Sequence, residues 1–335
     1  MRAPFRSARS RWRRPSSLSC LVLALALALT TAPLRMASAE PVTIGTSTTG
    51  LLVWIAEAFG LFEKHGVEVR VEEVHSGVEA ARRTLSGELT LGTSSEFALT
   101  SMVMTQPGLC AYATISSSRT TRLLARADRV GLAPQDLVGK RIAVTRKAVG
   151  QFFLWQYLRI SGIPEGSVTL VDLGPNEIVT AILDGSVDAA MTWEPHVSRI
   201  RQALGGRVVE YPDQSDQYFY FVLQGRCALA DERPEMLRAV LAALIEAEQL
   251  ERDQPERVED ALLERLGFDR PAYVQMRPLH SLQVMLPQGL LFLMEREAEW
   301  RIREGLSAGP VPDVLSIVRP EPLEAVAPHS VQMIH

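Results

Sequence analysis

The sequence predicts an α/β protein of two lobes, with two open, mostly parallel sheets joined by two crossing segments and a helical C-terminal part. Short apolar segments alternate with amphipathic ones, this alternation occurs twice along the chain, and consecutive strands separate the two sets. Alternating strands and helices with short loops are typical of open, mostly parallel sheets covered by helices. With 335 residues, of which 47% are hydrophobic and 22% charged, the chain can bury the cores that two lobes need.

Residues 1–39 have the composition of a signal peptide. Six arginines precede an apolar run at residues 18–29, and Ala37-Ser38-Ala39 comes directly before Glu40. A positive region, an apolar region of about a dozen residues and a small-x-small site are the three parts of such a peptide. The apolar run is shorter than the roughly 20 residues that cross a bilayer. We therefore expect cleavage after Ala39 and a periplasmic mature protein. The sequence does not decide between the general secretory route and the twin-arginine route of export.

Charge and cysteine content exclude several classes of protein. Beyond residue 39 the chain has 28 basic and 39 acidic residues, which is the wrong sign for a nucleic-acid binder. Cys20, Cys110 and Cys227 are too few and too far apart for a disulfide scaffold or a zinc site. In an oxidising compartment Cys110 and Cys227 could pair, but we expect buried, inert thiols.

The first alternating set covers the beginning of the mature chain. Its apolar periodicity predicts strands at residues 42–44, 67–74 and 89–91, and helices at 51–64, from 76 to about 85, and from 93 onward. The second set has the same order of elements. It predicts strands at residues 141–144, 168–173 and 189–193, with helices at 149–160 and about 177–183.

Strands between and after the two sets predict how the lobes are connected. Residues 109–116 and 120–124 read as consecutive strands, and residues 218–223 as a third apolar strand; helices follow at 234–250, 255–266 and 290–302. A chain that leaves one α/β unit, builds another and returns makes two lobes with a cleft between them. We expect residues 40–117 and 225–335 in lobe one, and residues 118–224 in lobe two.

The candidate ligand-binding residues follow the strands of both sets. In open α/β sheets, ligands bind outside the carboxyl ends of the strands. Small hydroxyl residues and glycines at helix starts supply side-chain oxygens and free backbone N–H groups, although each taken singly also reads as an ordinary helix cap. The candidates are Thr46, Ser47, Thr48, Thr49, Trp54, Ser76, Gly77, Thr93, Ser94, Ser95, Arg146, Lys147, Gly150, Asn176, Trp193 and Glu194.

Three segments resemble one protein family. From Gly139 the chain reads Gly-Lys-Arg-Ile-Ala-Val-Thr, and Gly-Ser-Val-Asp-Ala-Ala-Met-Thr-Trp-Glu-Pro ends at Pro195; residues 57–69 and 319–323 add further matches. These runs are similar to the periplasmic binding proteins of the nitrate, sulfonate and taurine ABC importers. The resemblance implies a type II-like periplasmic binding protein fold. It also implies an extracytoplasmic protein that captures a small solute in the inter-lobe cleft and delivers it to an ABC permease in the inner membrane.

One departure from the family pattern bears on the ligand. Many members have Gly-Ser where this chain has Lys147-Ala148, so a hydroxyl is lost and Arg146 or Lys147 brings positive charge near the pocket. Together with free helix N-termini, these cations favour a small anionic solute containing nitrogen or sulfur, while a solvated charge pair is the alternative. Trp54 and Trp193 would suit a flat or aliphatic ligand body, with a core position as the alternative for Trp193.

Other functions have less support in the sequence. A thiamine-pyrimidine synthase uses the same fold but relies on a cysteine-rich motif that is absent here, and His75 is the one catalytic candidate. A ligand-sensing module of a signalling system is a third class, which usually carries a transmembrane segment. We expect no enzyme activity, no metal, no cofactor and no nucleic-acid partner, and we expect a monomer.

Overall fold

A computed structural model describes residues 41–211, 214, 218–267 and 269–334. The predicted signal peptide at residues 1–39 lies outside the described residues. Within these ranges, no helix has both the length and the apolar character needed to cross a membrane.

Strands and helices alternate in two sets, as the sequence predicts. The strands are β1 (Val42–Thr46), β2 (Val69–Glu73), β3 (Leu91–Ser95), β4 (Leu109–Ser118), β5 (Thr121–Arg126), β6 (Arg141–Val144), β7 (Thr169–Asp172), β8 (Ala189–Trp193), β9 (Val208–Glu210), β10 (Phe219–Arg226), β11 (His280–Pro287) and β12 (Val331–Gln332). The helices are α1 (Leu51–Ala58), α2 (Leu61–Lys64), α3 (Gly77–Ser86), α4 (Glu96–Val103), α5 (Val149–Ile160), α6 (Pro175–Asp184), α7 (His196–Leu204), α8 (Leu229–Glu232), α9 (Pro234–Asp253), α10 (Pro255–Leu266), α11 (Arg270–Met276), α12 (Gln288–Arg303) and α13 (Glu321–Val326).

Local chemistry explains where several helices begin and end. The hydroxyl of Ser76 accepts a hydrogen bond from the backbone N–H of Glu79, which satisfies a free donor at the start of α3. Gly87 ends that helix in the left-handed conformation at φ 83°, which a glycine adopts without steric cost. Helix α6 begins with Pro175, whose missing N–H would have no partner there, and ends at Gly185.

The two sheets are separate and both are mixed. The first has the order β12-β11-β4-β10-β3-β1-β2 and the second the order β7-β6-β8-β5-β9. Strand β1 runs parallel to β2 and β3, and β6 runs parallel to β7 and β8. Strands next to the chain crossings pair antiparallel. In the first sheet β10 pairs with β3 and β4, and in the second sheet β5 pairs with β8 and β9. The two-lobed α/β prediction is therefore confirmed, but parallel pairs do not dominate.

Two stretches of chain cross between the sheets, and helix α12 packs against both cores. The chain passes from β4 to β5 and returns from β9 to β10. Leu290 and Met294 of α12 belong to the core of the first sheet. Trp300, near the other end of α12, belongs to the core that covers the second sheet. The chain therefore contacts the second core again after it has returned to the first.

The return point lies earlier in the chain than the sequence predicts. All of β10 pairs within the first sheet, with Phe219 opposite Ser118 and Arg226 opposite Leu109. The expected lobe-two range of 118–224 contains most of this strand. We therefore propose that the chain re-enters the first lobe near residue 218, because the backbone hydrogen bonds of β10 are made there.

Cys110 and Cys227 form a disulfide, so the expectation of inert thiols is wrong. Their sulfur atoms are 1.99 Å apart and their Cα atoms 4.8 Å apart. Cys110 lies in β4 and Cys227 follows β10, and the backbone N–H of Cys227 donates to the carbonyl of Gly108. Because β4 and β10 are neighbours in the sheet, residues 117 positions apart in sequence come within bonding distance.

Candidate functional site

The loop after β1 is built on a hydroxyl pair inside the first sheet. Thr46 is fully buried, and its Oγ1 lies 2.6 Å from Oγ1 of Thr93 on β3. A Cβ at Gly50 would lie 1.9 Å from Thr46 Oγ1, so only glycine fits beside this pair. The half-buried Ser47 and Thr49 are hydrogen-bonded to each other through their hydroxyls at 2.8 Å, and Thr48 lies half-buried between them.

Trp54 is buried and supports this loop. Its exposed fraction is 0%, and its indole N–H donates to the carbonyl of Ser47 at 2.9 Å. The guanidinium of Arg265, on helix α10, lies 4.5 Å from the centroid of the Trp54 ring. The side chain is enclosed by the first core, and the expectation that Trp54 contacts the ligand body stays a prediction.

The end of β3 differs from its prediction in a similar way. Thr93 and Ser94 were expected to begin a helix, but both are strand residues with exposed fractions of 2% and 1%. Hydrogen bonds compensate the burial of these two hydroxyl groups. The hydroxyl of Thr93 is hydrogen-bonded to that of Thr46, and the hydroxyl of Ser94 donates to Oε1 of Gln224. Only Ser95 caps helix α4, by accepting a hydrogen bond from the N–H of Ala98 at 3.0 Å.

Ser76 and Gly77 lie beside β3. Ser76 is exposed and caps α3, and its neighbour His75 donates its backbone N–H to the carboxylate of Glu79. A Cβ at Gly77 would lie 2.8 Å from the Cα of Ser94, so the start of α3 packs directly on β3. This close approach places the first turn of α3 against the end of β3.

The turn before α5 presents two cations. Arg146 and Lys147 are exposed, and within the described residues neither side chain makes a hydrogen bond or an ion pair. Lys147 has φ 62°, a left-handed conformation that favours glycine, and its N–H donates to the side chain of Gln151. Helix α5 begins without a side-chain cap and without an acidic residue in its first turn, so the partial positive charge at its N-terminus is not offset.

Gly150, in the first turn of α5, touches the end of β8. A Cβ at Gly150 would lie 3.6 Å from the ring of Trp193. Trp193 is half-buried, and its ring meets the ring of His196 edge-on, with centroids 6.4 Å apart. Burial and the neighbouring Arg199 lower the pKa of His196, so this imidazole is neutral at neutral pH. Trp193 and His196 form a neutral aromatic surface beside the N-terminus of α5.

Asn176 and Glu194 have structural partners. The side-chain oxygen of Asn176 accepts a hydrogen bond from Arg199 at 2.8 Å and is exposed. Glu194 accepts a hydrogen bond from the N–H of Ser198 at 2.9 Å and lies 3.4 Å from Arg201. Its carboxylate therefore stabilises the start of α7.

Aromatic contacts join the loop ends of the two sheets. Phe97, two residues after Ser95, has its ring centroid 6.2 Å from that of Phe152, two residues after Gly150. Trp300 of α12 contacts both rings, at 5.9 Å and 5.7 Å. The first turns of α4 and α5 therefore lie near each other, joined by these three aromatic side chains.

Sequence reasoning missed several residues at this junction. Gln151 is 5% exposed and connects the turn at Lys147 to Glu304, whose carboxylate accepts its amide hydrogen bond at 3.0 Å. A polar residue within the apolar sequence of α5 was the available signal. Phe97 and Phe152 carried no signal beyond hydrophobicity, because their contact joins elements that are distant in sequence.

Metal binding has no support within the described part of the chain. No group of three or more His, Cys, Asp or Glu side chains is placed there so as to hold a metal ion.

The NMT1/THI5 like family model matches residues 46–258 of the chain. The taurine-binding periplasmic protein of Escherichia coli is 28% identical over 217 residues, which covers 64% of this chain and 67% of that protein. Among solved structures, the periplasmic aliphatic sulphonate binding protein SsuA from Escherichia coli aligns with a TM-score of 0.71 at 21% identity. That alignment covers 84% of this chain and 93% of SsuA. The desulfurization enzyme DSZB aligns with a TM-score of 0.64 at 17% identity, over 87% and 99% of the two chains.

Proposed function

The chain belongs to the NMT1/THI5-like family, as a substrate-binding protein of the sulfonate and taurine ABC transporter group, and from this premise we propose what it binds. We propose that it captures a small organic anion, with a sulfonate as the first candidate, between its two lobes. It then delivers this solute to an ABC permease in the inner membrane. A cleavable signal peptide at residues 1–39 would bring it to the periplasm, where the Escherichia coli taurine-binding relative is located.

The observation that carries the proposal is the contact between Phe97 and Phe152, with ring centroids 6.2 Å apart. Because each ring lies in the first turn of its helix, the contact brings the N-termini of α4 and α5 together across the two lobes. Backbone N–H groups at a helix N-terminus favour an anion. An anion between two such termini would contact both lobes at once.

The surroundings of this junction fit a sulfonate with a small apolar body. Lys147 and Arg146 add positive charge near the start of α5, whose first turn has no acidic residue, although the carboxylate of Asp172 accepts the backbone N–H of Arg146. The half-buried ring of Trp193, against Gly150, offers an apolar wall for carbon atoms. The hydroxyls of Ser47, Thr49 and Ser95 lie on the first-sheet side as hydrogen-bond donors for sulfonate oxygens.

Lobe closure follows from a ligand that contacts both lobes. A solute that binds the closed arrangement more tightly than the open one shifts the population toward closure. The crossings from β4 to β5 and from β9 to β10 would supply the hinge. Closure also provides the difference in shape by which a permease could distinguish loaded from empty protein.

A binding screen tests the proposal. The mature protein is titrated calorimetrically with taurine, a short alkanesulfonate, nitrate and a pyrimidine, and each mixture is analysed for product. We expect a sulfonate to bind without turnover. Trp193→Ala should weaken that binding at least tenfold, whereas Phe292→Ala, an exposed residue on α12, should not change it.

Two other outcomes would contradict sulfonate binding without turnover. Binding of the pyrimidine alone would move the ligand class to neutral heterocycles. Product formation from a sulfonate or sulfinate would favour an enzyme, since DSZB shares the fold.

A further inference from the structure

Two carboxylates lie fully buried where helices α4 and α12 pack against each other. Glu96 is the first residue of α4 and follows Ser95 directly; Glu297 lies on α12, one turn before Trp300. The exposed fraction of each is 0%. Neither residue is one of the ligand-binding candidates.

Most of their oxygen atoms have no partner. Oε2 of Glu96 accepts a hydrogen bond from the backbone N–H of Tyr220 on β10 at 2.9 Å. Within the described residues, Oε1 of Glu96 and both carboxylate oxygens of Glu297 are buried without a hydrogen bond. An ionised carboxylate that is fully buried with few hydrogen-bond donors is very costly, because little compensates the loss of its hydration.

The charges around the pair do not balance if both carboxylates are ionised. Arg301, on α12 and 7% exposed, is a cation whose charge lowers the pKa of Glu297. The other groups that face the pair are uncharged at neutral pH: the hydroxyl of Thr100 on α4 and the phenol of Tyr220, whose pKa is raised by burial and by Glu96. Two negative charges against one positive charge leave one buried charge uncompensated.

We propose that Glu96 and Glu297 form a proton-binding site that holds one proton at neutral pH and joins the end of β3, strand β10 and helix α12. A proton is the cation that fits, because it needs no cavity and no third ligand. Burial raises the pKa of both groups well above the ordinary value, and the charge of Glu297 raises that of Glu96 further. The bound proton leaves one carboxylate to balance Arg301.

The site connects parts of the molecule that must stay in register. Glu96 accepts a hydrogen bond from the backbone N–H of Tyr220 on β10, the strand on which the chain returns to the first sheet. Glu297 lies between Met294, in the first core, and Trp300, in the second. Loss of the proton would place two like charges between α4 and α12, and would weaken the packing of the helix that contacts both cores.

The sign of the pH dependence follows from the raised pKa of the folded state. In the unfolded chain the carboxyls titrate near 4.5, while the folded protein retains a proton above that pH. The folded state therefore binds more protons, and stability falls as pH rises from the unfolded value through the folded one. His280, whose pKa burial lowers to about 4, contributes with the opposite sign in acid.

Thermal unfolding of two double variants tests the site. Glu96→Gln/Glu297→Gln removes the pair, and Glu295→Gln/Glu299→Gln makes the same substitutions at exposed positions of α12. Both retain His280, so their comparison cancels its contribution. We expect the control to lose about 2–4 °C per pH unit relative to the buried variant while the site titrates. Parallel pH profiles for the two variants would overturn the proposal.

Infrared spectroscopy tests the bound proton without relying on a substitution. At neutral pH the wild-type protein should show the C=O stretch of a protonated carboxyl group. The exposed double variant should keep this band, and the buried double variant should lack it. A wild-type spectrum without the band at neutral pH would exclude the proton, even if the buried variant does not fold.

Discussion

At the scale of single residues, Lys147 combines an unfavourable backbone conformation with an unpaired charge. Its φ of 62° lies in the left-handed region, at the position where the family resemblance leads us to expect glycine. The departure noticed in the sequence thus has a conformational consequence, because a lysine side chain pays a steric penalty that glycine does not. Two substitutions separate the backbone effect from the charge effect.

Lys147→Gly should stabilise the protein, and Lys147→Ala should not. Glycine relieves the left-handed strain, and part of that gain is offset by the greater entropy of the unfolded chain. We expect a net increase in unfolding free energy of about 0.5–1 kcal/mol for glycine over alanine. Urea denaturation of both variants checks this. Equal stabilities would mean that the turn relaxes without strain.

The same two variants test the charge of Lys147. Both should weaken sulfonate binding about fivefold at low salt, the size expected when one exposed ion pair is lost. Added salt should reduce the difference from wild type, because exposed charges are screened. Calorimetric titration at two salt concentrations provides the measurement. A loss of less than threefold at low salt would assign Lys147 to the solvated surface.

At the scale of elements, the Cys110–Cys227 disulfide fastens the two neighbouring strands β4 and β10. These strands carry the chain out of the first sheet and back into it, and the bond lies at the end of their ladder away from the crossings. A cross-link over 117 residues greatly restricts the unfolded chain. Its contribution to stability is therefore expected to be large.

Removing the disulfide should destabilise the protein without changing the fold. Cys110→Ala/Cys227→Ala should lower the unfolding free energy by about 2–5 kcal/mol, since the unfolded chain regains its loop entropy. Denaturation with and without reductant provides the measurement. Wild-type protein in reductant should match the variant, and the variant itself should not respond. A wild type that is insensitive to reductant would show that the bond contributes nothing.

At the scale of the whole molecule, ligand capture should change both shape and stability. Each sheet contributes one helix N-terminus to the junction at Phe97 and Phe152, so an anion there would hold the lobes together. Helix α12, packed against both cores, has to accommodate the movement. Closure about two chain crossings is the simplest motion that this connectivity permits.

Small-angle X-ray scattering should detect this closure. With taurine, or the sulfonate that binds in the calorimetric screen, the radius of gyration should decrease. At a ligand concentration 100 times the dissociation constant, the unfolding free energy should rise by about 2.7 kcal/mol. Stabilisation without a change in the radius of gyration would indicate a site within one lobe.

The sequence by itself determined the fold class, the order of elements and the family. Local patterns are visible in a single sequence. Examples are the apolar periodicity of β6, α5 and β8 and the run Gly-Ser-Val-Asp-Ala-Ala-Met-Thr-Trp-Glu-Pro. The loops after the strands were also predicted, because strand ends share an edge of their sheet. The placement of Ser47, Ser95 and Lys147 follows from this rule.

Only the tertiary structure decided which side chains are buried and what they meet. Trp54, Thr93 and Ser94 looked available in sequence but are enclosed, and Glu96 and Glu297 looked like ordinary charged helix residues. The disulfide and the antiparallel return of β10 likewise join segments that are more than 90 residues apart. Burial and strand pairing depend on contacts with residues that are distant in sequence, so a local sequence pattern does not predict them.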